Sequence, residues 1–251
     1  MSADLPRLAA ERDALREQLR SLAAANDELL HAVSHDLRAP LRHVVSYAGL
    51  LAEVLAEVQA PCASVSEAQG FAATLQRSAR HMGQMLDGLL AISRAGRAPL
   101  HLAAVDLQAA LQAAQAQLPG AAAVRWAIQT PMPAVQADAP LLQTLLLQLL
   151  GNAVKFSQGS AQVLVQVSAR RVGEQVQVQI ADQGAGFDPA RAASLFQLFQ
   201  SLHREGEFPG VGAGLALCRR IAERHGAQIA VSSPGPGQGC TVTLHWPAAQ
   251  A

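Results

Sequence analysis

Leu8, Leu15, Leu22 and Leu29 recur every seven residues, and Leu5, Arg12, Leu19, Asn26 and Val33 repeat at the same interval on the alternate position. Two inner positions per seven, kept for about four repeats, predict a coiled coil at the start of the chain. Asn26 at an inner position favours one register and a parallel pair.

A second frame follows: Leu37, Leu41, Val44, Ala48, Leu51, Leu55 and Val58. The step from Val33 to Leu37 is four where three would keep phase, so the seam slips beside His35. Pro40 falls just after the slip. Proline within a helix costs roughly 3 kcal/mol, because it lacks an N–H and its ring strikes the carbonyl four residues back, here that of Asp36. The segment "QAPCASVS" interrupts the pattern, and a third frame runs Phe71, Leu75, Ser78, Met82, Met85, Leu89 and Ile92. Two such helices joined by a short loop predict an antiparallel hairpin, and two hairpins bury both seams as a four-helix bundle.

The chain has 251 residues, half of them apolar and 15% charged, with a formal net charge of zero. That balance argues against nucleic acid or an anionic membrane as the main partner. Cys62, Cys218 and Cys240 are scattered and show no metal or disulfide spacing, which suits a reducing compartment and a cytoplasmic location. The longest apolar run, Leu141–Leu150, is broken by Gln143, Thr144 and Gln148, and no signal peptide is expected.

Composition changes at "RAGRAPLHLAAVDL". Beyond it, strands are expected at Val124–Ile128, Ala134–Ala137, Ala161–Arg170, Glu174–Ala181, Gln228–Ser232 and Cys240–Trp246. Helices are expected at Leu107–Leu118, Ala139–Phe156, Pro189–Phe199 and Ala213–His225. The stretch "VLVQVSARRVGEQVQVQI" reads as a hairpin with one wet face. The expected fold is multidomain: an all-α helical hairpin preceded by a coiled coil, then an α+β sandwich, with the boundary near Ala95–Leu102.

Four stretches carry chemistry. In "HAVSHDLRAPLR", His31, His35, Arg38 and Arg42 lie along one helical stripe, expected to face solvent. A neutral imidazole there is a nucleophile, and Asp36 can take the proton from its other ring nitrogen. The arginines can neutralise an incoming phosphate. In "QLLGNAVKFS", Gln148, Asn152 and Lys155 share a face, suited to a hydrated Mg²⁺ and a phosphate oxygen. In "QIADQGAGFDP", Asp182 can accept a hydrogen bond from an exocyclic amine, while Gly184 and Gly186 let backbone approach a planar ligand. In "FPGVGAGLALCRRIAERHG", Gly210, Gly212 and Gly214 open a helix whose exposed N–H groups form an anion site. Taken singly, each also reads as an ordinary turn, helix start or solvated face.

The order His-Asp-x-Arg-x-Pro, Asn-Ala-x-Lys-Phe, Asp-x-Gly-x-Gly-Phe and Gly-x-Gly-Leu-x-Leu resembles the sensor histidine kinases of two-component signalling, most of all their soluble, phytochrome-like branch. The resemblance implies a signalling coiled coil over 1–30, a dimerisation and phosphotransfer hairpin over 31–96 and an ATP-binding domain over 97–251. That last domain would share the sandwich of gyrase, MutL and the heat-shock chaperone ATPases. It implies His35 as phosphoacceptor with Asp36 orienting and deprotonating it. Asn152 would hold Mg²⁺ through its side-chain oxygen, Lys155 would contact phosphate, and Asp182 would read adenine in a pocket shaped by Gly184 and Gly186. Gly212, Gly214 and Leu215 would complete the nucleotide site, under a lid spanning roughly Asp188 to Val211 and anchored by Phe196 and Phe199. The implied partners are the receiver domain of a response regulator and a second copy of the chain; no sensor domain is visible, so the sequence reads either as a fragment of a longer kinase or as a kinase driven by a separate sensor protein.

Two positions depart from the family pattern. Gln148 stands where Asn is frequent. Ala39 stands where kinases that also dephosphorylate their partner often carry Thr or Asn, and a methyl cannot orient a hydrolytic water. The rival functions are a plain ATPase of the same superfamily and a nucleotide-binding dimeric scaffold without histidine phosphorylation.

Overall fold

The computed structural model describes residues 12, 33–34, 36–58, 63–158, 163–202 and 207–249. The coiled-coil reading of 1–30 and the positions of His31 and His35 lie outside them. The chain divides into two compact units, Met1–Ser93 and Arg94–Ala251.

In the first unit, α1 (36–56) and all but the last turn of α2 (Ala63–Arg97) form the expected antiparallel hairpin. Its register is legible in paired contacts. Arg38 bridges to Asp87 at 2.9 Å, and the Gln69 amide donates to the Leu55 carbonyl at 3.1 Å. Between them, Leu41 lies beside Gly83 and Gln76 beside Gly49. α1 is assigned as helix straight through Pro40.

The second heptad frame splits into two faces. Leu41 and Leu55 are partly covered and Ala48 is 5% exposed, whereas Leu37, Val44, Leu51 and Val58 are between 40% and 49% exposed. On α2, Ala72 and Ala79 are buried while Phe71, Leu75 and Met82 are exposed. Each helix therefore presents a second apolar face that its own hairpin does not cover. Arg38, expected on the solvent-facing stripe, keeps a 38% exposed side chain and pairs there with Asp87.

The second unit is a two-layer sandwich. Its main sheet has the order β2 (Arg125–Ile128), β4 (Leu164–Val172), β5 (Gln175–Asp182), β7 (Cys240–Pro247), β6 (Gln228–Ser232). β2 runs parallel to β4 and the other pairs are antiparallel. A small ribbon pairs β1 (Ala103–Val105) with β3 (Val135–Ala137). β1 was not expected from sequence: three residues, two of them exposed, carry no readable alternation.

Strict alternation decides which sheet face is buried. Val165, Val167, Val176, Val178, Ile180, Val242, Leu244 and Trp246 point inward, toward α3 (Leu107–Gln117), α4 (Ala139–Phe156) and α5 (Gly214–Arg224). The helices contribute Leu107, Leu111, Leu142, Leu145, Leu146, Leu149, Leu150 and Ile221 to that core. Gln166, Gln179 and Thr241 lie on the opposite face.

Asp138 starts α4 by accepting the Leu141 N–H at 3.2 Å, and it also accepts the His101 N–H at 3.0 Å. Its own N–H donates to Nε2 of buried His225, whose Nδ1 lies 2.8 Å from the Ile221 carbonyl. That pattern fixes the neutral Nδ1–H tautomer. The His225 ring packs 4.8 Å from that of Trp246, whose indole N–H donates to Gln136.

Residues Pro189–Phe196, expected within an α-helix reaching Phe199, form a 3₁₀ helix. Asp188 caps its start, and Phe199, at φ 62°, lies in the left-handed region and cannot continue a helix. Among the described residues no helix is long and apolar enough to cross a membrane.

Candidate functional site

α4 buries its leucines, so its polar positions Gln148, Asn152 and Lys155 fall together on the uncovered side. Against that side comes the glycine segment that opens α5. A β-carbon on Gly214 would stand 2.8 Å from Gln148 Oε1 and 3.8 Å from Asn152 Nδ2, and one on Gly210 would stand 3.5 Å from Lys155 Nζ. α5 begins at Gly214 with no side-chain cap on its first N–H groups. Leu215 is its second residue.

The turn after β5 is fastened to the end of the same helix. Ala185 donates its N–H to the Phe156 carbonyl at 2.9 Å. Gly184 sits so close to that carbonyl that any β-carbon would collide with it. Asp182 Oδ1 accepts the Gly184 N–H at 2.9 Å. On its other flank the turn meets the β6–β7 loop: Gly237 donates to Ala185 at 2.6 Å, Gly239 to Gly184 at 3.1 Å, and Phe187 to the Ser233 hydroxyl at 3.1 Å. Gly186 packs against Ser233 and Gly235.

Burial raises the Asp182 carboxyl above its ordinary pKa, opposed by the N–H groups of Gly184 and Cys240. Burial depresses the Lys155 ammonium. Lys155 Nζ lies 4.2 Å from the centroid of the Phe156 ring, and Phe156 meets Phe208 edge-on at 5.0 Å. Gly212 accepts the Phe199 N–H at 3.1 Å, joining the end of the 3₁₀ segment to the glycine loop.

The structure thus gathers Asn152, Lys155, Gly210 and Gly214 on one side of α4, ties Gly184 and Ala185, and through Gly184 also Asp182, to its C-terminal end, and packs Gly186 on the β6–β7 loop. With that arrangement in view, the comparisons with known proteins are specific. The His Kinase A (phospho-acceptor) domain family matches residues 25–98, and the histidine kinase-, DNA gyrase B- and HSP90-like ATPase family matches residues 137–250. The chain belongs to the histidine kinases.

The chain is 32% identical over 232 residues to the sensor protein KdpD of Escherichia coli, covering 91% of this chain and 25% of that protein. It is 30% identical over 234 residues to cyanobacterial phytochrome A of Nostoc, covering 91% and 30% respectively. Among solved structures, full-length ShkA in complex with AMPPNP matches with a TM-score of 0.61 at 29% identity, over 89% of this chain and 46% of that one. The chain spans between a quarter and a third of the length of these two curated relatives.

Three residues of this site escaped the sequence reading. Phe208 precedes the glycines by two residues and reads there as a lone aromatic. Phe156 was noticed only as part of a motif, although its carbonyl holds the β5 turn. Cys240 is the register partner of Asp182 across β5 and β7, a relationship visible only once the sheet order is known. Burial, then the charge of Asp182, pushes the Cys240 thiol up to about 12, so it stays protonated. Asp36 is exposed on α1, and its neighbour His35 falls outside the described residues.

Proposed function

We propose that this chain is an ATP-dependent protein histidine kinase that phosphorylates itself on His35 and passes the phosphoryl group to an aspartate in the receiver domain of a response regulator. The observation that carries the reading is the apposition of Asn152 and Lys155 to the glycine start of α5, with Asp182 tied to the same helix.

The residues fit nucleotide and metal. The Asn152 amide oxygen is a hard donor suited to Mg²⁺, which when bound supplies charge neutralisation on the phosphates. Lys155 contributes a cation, and the start of α5 at Gly214 and Leu215, which no side chain caps, suits an anion. Asp182 accepts the exocyclic amine of adenine, with Gly184, Gly186 and Gly212 keeping backbone close to the ligand.

In the transfer, the His35 ring nitrogen bonds to the γ-phosphorus as the bond to ADP breaks. Asp36 takes the proton from the other ring nitrogen. Positioning and charge neutralisation carry most of the catalysis.

We assign residues 1–30 to a signalling coiled coil, 31–96 to the dimerisation and phosphotransfer domain and 97–251 to the ATP-binding domain. Leu37, Val44, Leu51 and Val58, with Phe71, Leu75 and Met82, form the face that a second copy buries as a four-helix bundle. We place the kinase in the cytoplasm, with weak phosphatase activity because Ala39 cannot hold a water.

Incubation with γ-labelled ATP tests the function. Acid-labile label on wild type and none on His35→Gln is the expected result. Label surviving in His35→Gln, or released phosphate without protein label, overturns it.

A further inference from the structure

The final turn of α2 belongs to the second unit, and it ends against α5. Pro99 follows shortly after. The carbonyl of Ala95 would ordinarily accept the N–H of residue 99, and proline has none. Arg224 fills that place, its Nη1 donating to the Ala95 carbonyl at 2.7 Å. One turn earlier on α5, Arg220 lies against Gly96. A β-carbon there would stand 3.0 Å from Nη2 and 3.1 Å from Nε. A glycine inside a helix costs up to about 1 kcal/mol relative to alanine, and here it makes room for a guanidinium.

Both arginines also bring positive charge to a helix C-terminus, where the helix dipole favours it. Arg219 does neither. It pairs with Glu223 at 2.9 Å on the exposed side and stands 6.0 Å from the Phe196 ring centroid. The other end of α5 is Gly214, packed on Gln148 and Asn152. One short rigid helix therefore touches the nucleotide site with its first turn and the close of α2 with its last two.

We propose that Arg220 and Arg224 are positioning residues that carry nucleotide occupancy from the Gly214 end of α5 to the last turn of α2. The proposal rests on the nucleotide reading of the site. A ligand that orders the start of α5 holds the whole helix, and the two guanidinium groups hand that constraint to Ala95 and Gly96. A plain cap would satisfy the same carbonyl, but it would hold residues 94–100 equally with and without nucleotide.

Hydrogen exchange on the full chain, with and without ADP, separates the two. In wild type, ADP slows amide exchange across 94–100. In Arg220→Met/Arg224→Met this ADP effect disappears and basal exchange there rises about tenfold, the change expected on losing a charge-assisted hydrogen bond. ADP affinity by calorimetry stays close to wild type, and Arg219→Gln behaves as wild type throughout. Gly96→Ala displaces Arg220 without altering α5 and gives the same loss, which keeps the test valid should the double variant unfold. ADP-dependent protection that persists in the double variant, or is absent from wild type, overturns the proposal. Wild type that shows the protection but takes no acid-labile label supports the transmission and sinks the kinase activity instead.

Discussion

The Lys155 ammonium rests 4.2 Å from the centroid of its neighbour Phe156, on the side of α4 that Gly210 approaches. The contact holds a partly desolvated cation beside the start of α5. Because burial depresses its pKa, the folded chain releases this proton more readily than the unfolded chain does. The contribution of Lys155 to stability therefore grows as pH rises through the depressed pKa, while the attraction for phosphate that we propose for it is lost over the same range. ATP affinity should fall on the alkaline side earlier than an ordinary lysine would cause. Lys155→Met should remove that dependence and weaken ATP about tenfold while leaving adenosine nearly unaffected, as calorimetry across pH would measure.

Asp182 titrates in the opposite sense. Its raised pKa means that the fold holds the proton more tightly than the unfolded chain, so the ionised form costs stability at neutral pH. Stability from this group is gained as pH falls through the raised pKa, and the acceptor that we propose for the adenine amine is lost on the same descent. Asp182→Asn should raise the melting temperature slightly and cut ATP affinity by at least about tenfold, with preference for ATP over GTP abolished. Thermal melts and competition binding check both halves.

Two glycines should respond differently to one added methyl. At Gly184 the β-carbon meets the Phe156 carbonyl, which is backbone and cannot step aside. At Gly214 it meets the end of the flexible Gln148 side chain. Gly184→Ala should cost about 2 kcal/mol or more and abolish nucleotide binding, whereas Gly214→Ala should fold normally with only Gln148 displaced. Equal melting temperatures for the two variants would contradict this.

Pro40 interrupts the hydrogen-bond ladder of α1 without ending the helix. Pro40→Ala should stabilise the hairpin by up to about 3 kcal/mol and lock His35 phosphorylation at one level, if the proline keeps that helix bistable. An unchanged labelling rate in the variant would count against such a role.

The sequence made some elements plain and hid others. α4 was readable to the residue, because a leucine face, Asp138 at the cap and Pro140 in the first turn all agree. β4 and β5 were readable from alternation, since one face is buried and the other wet. The parallel pairing of β2 with β4 was not, because a short edge strand does not announce its direction. Asn152, Lys155 and Asp182 were found as motif members, but their assembly depends on the Phe156 carbonyl and the β6–β7 loop, main-chain contacts that side-chain patterns do not encode. Arg220 and Arg224 carry no sequence signal beyond their place in the helix after the glycines, and only Pro99 in three dimensions shows what Arg224 replaces.

The chain has two tryptophans and one tyrosine, and they fall in different halves: Trp126 and Trp246 in the second unit, Tyr47 on the exposed side of α1. With Trp246 sealed against His225, indole emission follows melting of the sandwich alone. The hairpin can unravel without dimming it, so a fluorescence denaturation curve and a circular dichroism curve that fail to overlay would resolve the two halves as separate cooperative transitions.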